Sequence, residues 1–140
     1  MSTSTEAAYS ARMELPPTPA SVPLARRVTG WLLRVGNAEA RGTDAEIVVR
    51  ELVTNVIDHV GGEARIALEL AVTDGRVRIA VVDGSAVRPV VRQIAGTSPR
   101  GRGMRLVAAI ADRWGVDERG AGKVWVELDP GGTGAGGAAS

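Results

Sequence analysis

Glu51-Leu52-Val53-Thr54-Asn55-Val56-Ile57-Asp58-His59 is the stretch that decides how this 140-residue chain is read. A helix turns about 100° per residue, so Glu51 and Asn55, four apart, project about 40° from one another. Asp58 and His59 lie on the same side. The other side is a thick apolar stripe of Ala45, Val49, Leu52, Val53, Val56, Ile57 and Val60. A helix with that much apolar surface is largely buried. A polar strip along it therefore needs a partner, a ligand or a metal, because unpaired polar groups are costly to bury. A carboxylate and an amide at this spacing suit a hard cation, which prefers oxygen ligands.

The elements on either side follow from periodicity and punctuation. Tyr9, Ala11, Met13 and Leu15 alternate with polar residues and predict a short edge strand, ended by Pro16, Pro17 and Pro19. Ser21 reads as an N-cap, with Pro23 in the first turn of a helix that runs to Val35 and stops at Gly36. Thr43-Asp44-Ala45-Glu46 has the form of a capping box and opens the central helix, which Gly61-Gly62 ends. Ile66 to Val72 and Val77 to Val81 alternate as two strands joined by an Asp74-Gly75 hairpin turn. After Asp83-Gly84-Ser85, residues 84–103 form a long irregular segment, a length that in a compact domain is functional or disordered. Met104 to Trp114 predicts a third helix. Val116 to Glu118 and Lys123 to Leu128 predict a second hairpin across Gly120-Ala121-Gly122.

Helices in blocks and strands in hairpins give an α+β fold: a two-layer sandwich with a mostly antiparallel sheet covered by helices on one face. Residues 9–128 form the domain. Residues 1–8 and the Gly/Ala-rich tail 129–140 are expected to be disordered.

Composition narrows the function. Lys plus Arg is 17 and Asp plus Glu is 16, so no charge excess draws nucleic acid or an anionic membrane. Aromatics are 3% of the chain, too few to give stacking platforms for single strands. The absence of cysteine removes disulfides and thiolate metal sites. His59 is the sole histidine, which argues against zinc. With no signal-peptide pattern and no apolar run of spanning length, the expected location is cytoplasmic.

Three features can form one site: the Glu51/Asn55 strip, Asp83-Gly84-Ser85 at a strand end, and Gly101-Arg102-Gly103-Met104 opening a helix. A glycine-flanked helix start offers free N–H groups and a positive dipole end to phosphate. An Asp at a strand end can accept a hydrogen bond from an exocyclic amine such as adenine's. Taken singly, each has a plain alternative: a solvated helix face, a turn residue after a strand, and a flexible loop before a helix. Gly122-Lys123 is no phosphate-binding P-loop, because Asp117 stands at the required earlier glycine and Val124 at the Ser/Thr.

In this order, the motifs resemble those of the GHKL ATPases, the superfamily of gyrase and histidine kinases. Glu51 to His59 resembles the N box, Asp83-Gly84-Ser85 the first glycine box, and Gly101 to Val107 the second. The short length and Ala111-Asp112-Arg113-Trp114-Gly115 resemble the anti-sigma-factor serine kinase branch, small actinobacterial regulators above all. The resemblance implies a Bergerat-type sandwich that binds ATP and Mg²⁺. Asn55 would ligate magnesium, and Glu51 would be the general base that takes the proton from a protein serine. Asp83 and Gly84 would hold adenine, and Gly101, Arg102, Gly103 and Met104 the phosphates. The implied partners are an anti-anti-sigma factor or a sigma factor, with homodimers common in the family. Three departures support an alternative, a non-catalytic ATP-gated binding module. Ser85 stands where the family's glycine usually is, Asp58 occupies a position that is basic in some relatives, and the last hairpin lacks the threonine that often helps hold adenine.

Overall fold

The computed structural model describes residues 8–60, 65–83, 101–117 and 123–131; of His59, Val60, Asp83, Gly101, Arg102 and Gly103 it describes the backbone. Five strands form one sheet: β1 (Ala8–Leu15), β2 (Ile66–Thr73), β3 (Arg76–Asp83), β4 (Arg113–Asp117) and β5 (Lys123–Leu128). Their spatial order is β1-β2-β3-β5-β4, and all four pairings are antiparallel. Among the described residues three α-helices accompany it: α1 (Ser21–Val35), α2 (Gly42–Val60) and α3 (Gly101–Ile110). This is the expected α+β fold.

Strand alternation sets the two faces. Leu68, Leu70, Ile79, Val81, Val124 and Val126 turn to the helices and are buried. Arg12, Glu69, Arg78, Lys123 and Glu127 turn to the open face, where they form ion pairs. α2 packs on α1, α3 and β3, so it is the central helix of its layer. Val48, Val49, Leu52, Val53 and Val56 place it in the core with Met104 and Val107 of α3.

Several boundaries differ from expectation. Ser21 is the first helical residue, not the cap: its Oγ donates to the Pro16 carbonyl at 2.6 Å. α2 begins at Gly42 after a 3₁₀ turn, Glu39–Arg41. Thr43 therefore lies inside the helix, and the Glu46 carboxylate pairs with Arg26 across the helix interface. α1 does end before Gly36, but the left-handed residue is Asn37, with φ 60°. Gly36 is needed for space, since a Cβ there would sit 2.7 Å from Val72. The Asp74-Gly75 turn has positive φ at both residues, as a two-residue hairpin requires.

The largest difference is at α3. The helix starts at Gly101, inside the stretch read as irregular, and ends at Ile110. Arg113 to Asp117, including Trp114, is strand β4 rather than the end of a helix. The expected Gly61-Gly62 stop and the Gly120-Ala121-Gly122 turn lie outside the described residues, as do residues 1–7 and 132–140 of the two terminal segments; of the rest of those segments, Ala8 belongs to β1 and Asp129 is held by Arg41 and Arg113.

Candidate functional site

The polar strip on α2 is where the molecule departs from ordinary packing. Asn55 is only 5% exposed, although its helix neighbours Val53 and Val56 are core residues. Its Nδ2 is buried and makes no hydrogen bond among the described residues. A buried primary amide without a partner is costly, so it needs a group from outside the chain's described part. Its oxygen is a neutral hard donor of the kind magnesium takes from protein while keeping waters and phosphate oxygens as its other ligands. Among the described residues no three acidic or histidine side chains cluster around a common point. The orphaned Nδ2 calls for an oxygen acceptor such as a phosphate, and Oδ1 would be one protein ligand to a magnesium ion carried by that phosphate.

Glu51, one turn earlier, is half-buried. Its carboxylate is held by Arg50, whose Nε and Nη2 lie 3.0 and 2.9 Å from the same oxygen, Oε2. Oε1 has no hydrogen bond among the described residues, which leaves one carboxylate oxygen able to accept a proton. Arg50 had no distinguishing signal in the sequence, because adjacent helical residues do not face one another and only the long guanidinium arm closes the gap.

Asp83 ends β3, with its backbone in register with Ile66. The strand end thus lies in the sheet on which α2 packs. Gly84 and Ser85 lie outside the described residues, as does the segment to Arg100. Gly101, Arg102 and Gly103 form the first turn of α3, so their backbone N–H groups belong to a helix start, which favours anions. Met104 is buried in the core. Its side chain anchors α3 against the core, and only its backbone is available to a ligand. Asp58 is exposed and the His59 side chain is outside the described part.

The far end of α3 is fixed by a residue that sequence reading passed over. Arg41 is 1% exposed. Its Nη1 donates to Asp112 Oδ2 at 3.1 Å and to the Asp129 carbonyl at 2.8 Å, and Nη2 lies 3.2 Å from Asp44 Oδ2. Asp112 Oδ2 also accepts the Asp129 N–H at 2.7 Å. The start of α2, the end of α3 and the end of β5 thus meet on one guanidinium. A separate shallow cavity of about 350 Å³ lies on the open face of the sheet, lined by Arg12, Glu69, Ala71, Arg78 and Ala80. It is across the sheet from Asn55, and its charges are already paired.

Residues 15–128 match the family of the histidine kinase-like ATPase domain. The chain is also similar to an uncharacterised protein of Streptomyces coelicolor, with 41% identity over 73 residues, covering 50% of this chain and 70% of the relative. No described helix is long and apolar enough to cross a membrane.

Proposed function

Since the chain belongs to the histidine kinase-like ATPase family, whose fold implies ATP binding, we propose that it is an ATP-dependent protein-serine kinase. Its substrate would be an anti-anti-sigma factor, and through it the chain would control a sigma factor. The buried, unpartnered amide of Asn55, one turn from a half-buried carboxylate, supports this reading best. Asn55 Oδ1 would hold magnesium, which neutralises phosphate charge when bound. The N–H groups at the start of α3 would take phosphate oxygens. Glu51 would accept the serine hydroxyl proton on Oε1 as the serine Oγ bonds to the γ-phosphorus and ADP departs. Phosphoryl transfer asks the protein mainly for such positioning and charge stabilisation.

Thermal unfolding with ATP and magnesium tests the binding half. At about one hundred times Kd the gain is about 2.7 kcal/mol, or roughly 10 °C in a domain of this size. Asn55→Ala abolishes the gain without lowering the ligand-free melting temperature, because the buried Nδ2 it removes has no hydrogen bond to lose. Labelled ATP with anti-anti-sigma proteins tests the transfer half. Glu51→Gln keeps the thermal shift and lowers transfer by about a hundredfold or more. Absence of transfer by the unaltered protein, with the thermal shift intact, would sink the kinase reading.

A second reading has an observation of its own: Arg50 holds Glu51. In it the chain is an ATP-gated binding module that performs no transfer, and bound nucleotide switches a partner surface. Glu51→Ala would then retain full regulatory function.

A further inference from the structure

Glu51 is fixed by a neighbour that helix geometry would send elsewhere. Residues four apart on a helix project about 40° from one another, and adjacent ones about 100°. Glu46 and Arg50 are four apart on α2, with the carboxylate nearer the N-terminus, the order that favours an ion pair. Arg50 instead reaches sideways to Glu51, with Nε at 3.0 Å and Nη2 at 2.9 Å from Oε2.

The competing carboxylate is already taken, from α1. Arg26 Nη2 lies 3.4 Å from Glu46 Oε1. Glu46 is laid against α1 at Gly30, where a Cβ would meet its Oε2 at 3.5 Å. Arg26, Glu46 and Arg50 line one depression of about 150 Å³, so two guanidinium groups stand beside a single carboxylate. All three side chains reach water, and a change of partner needs no unfolding.

We propose that Arg50 is a positioning residue for the base, and that the Arg26–Glu46 pair keeps it on Glu51 by occupying the carboxylate that would otherwise take it. The proposal rests on the kinase reading. Both Arg50 nitrogens grip one oxygen, so Oε2 is pinned and Oε1 is left for the acceptor hydroxyl. Holding a reacting group in place matters, since a misplacement of about 1 Å can cost a hundredfold in rate. Arg26 and Glu46 touch no reacting atom; they act through Arg50.

Labelled ATP, magnesium and an anti-anti-sigma protein that accepts phosphate from the unaltered chain test it on the full-length protein. Arg50→Ala lowers kcat about tenfold, with KM for both substrates and the ATP-dependent thermal shift unchanged. Arg50→Lys keeps the charge without the fork and recovers part of the loss. Arg26→Ala leaves Glu46 free to draw Arg50 away and lowers kcat about twofold, the scale of a helical ion pair. Adding Glu46→Gln to Arg26→Ala restores kcat, which neither a folding defect nor a lost contact at Arg26 would allow. The Arg50 Nε–H resonance follows the same exchange with no acceptor present: it moves in Arg26→Ala and returns in the double variant. A resonance that stays in place would overturn the proposal and leave the kinase reading standing. So would a kcat that Arg50→Ala leaves unchanged or raises. Absence of transfer by the unaltered chain would remove both.

Discussion

Two buried polar residues on or beside α2 do different work. Asn55 Nδ2 is buried without a partner and awaits a ligand, whereas Arg41, although its Nε and Nη2 make no hydrogen bond among the described residues, is held through Nη1 and ties elements together. Arg41 is the larger risk to stability. Removing one member of a buried ion pair costs about 3–5 kcal/mol when the other charge is stranded. Asp44 and Asp112 are only partly buried and can regain water, so Arg41→Ala should cost near the lower limit, about 3 kcal/mol. Arg41→Met keeps the volume and should cost less. Urea unfolding of both variants measures this, and equal stability of Arg41→Ala and the unaltered chain would show the cluster to be inert. Asn55 was legible in the sequence because it interrupts a dense apolar period, and burial follows from that period. Arg41 was not, because arginine is ordinarily exposed and its partner Asp112 is 71 residues away.

Among the elements, β4 was the hardest to read and shows why. Leu106, Val107, Ile110 and Trp114 continue a helical spacing, so local pattern extends α3 to Trp114. Long-range contacts end it earlier. The Asp112 N–H donates to the Glu127 carbonyl at 3.0 Å, and its carboxylate is taken by Arg41. The chain then pairs with β5, with Gly115 opposite Trp125. The other strands and α2 were legible because their period agrees with their burial. At Gly115 the fit to Trp125 is close: a Cβ would lie 2.7 Å from the indole ring. That ring also stacks under Arg78, whose guanidinium carbon is 4.9 Å from its centroid. Gly115→Ala should displace the indole and cost about 1–3 kcal/mol. With Trp125→Val in the background the same change should cost under about 0.5 kcal/mol, a non-additivity expected of residues in contact. A double-mutant cycle of denaturant midpoints checks it, and additive costs would rule out the contact as the cause.

For the molecule as a whole, the open face of the sheet is a charge lattice and the helical face an apolar core, so acid acts on the first. Hydrogen bonds from Arg113, with help from Arg78, hold the Glu127 carboxyl below the usual range. Arg113 does the same to Asp129. At Glu69 burial opposes ionisation, but Lys123 and Arg12 outweigh it and the net direction is again downward. A carboxyl lowered by folding binds its proton less readily in the native state than in the unfolded one. Its stabilisation is therefore complete above the ordinary carboxylate range and fades as pH falls through that range toward the folded values. Stability should hold from pH 7 to about 5 and then drop. Glu127→Gln should cost under about 1 kcal/mol at neutral pH, since its pairs are half-exposed. That cost should shrink toward pH 3, and also in 1 M salt, where the screening length is about 3 Å. Urea midpoints of both proteins across this range decide the matter. Parallel curves, with the same gap at pH 7 and pH 3, would mean that Glu127 stabilises the sheet by packing and not by charge.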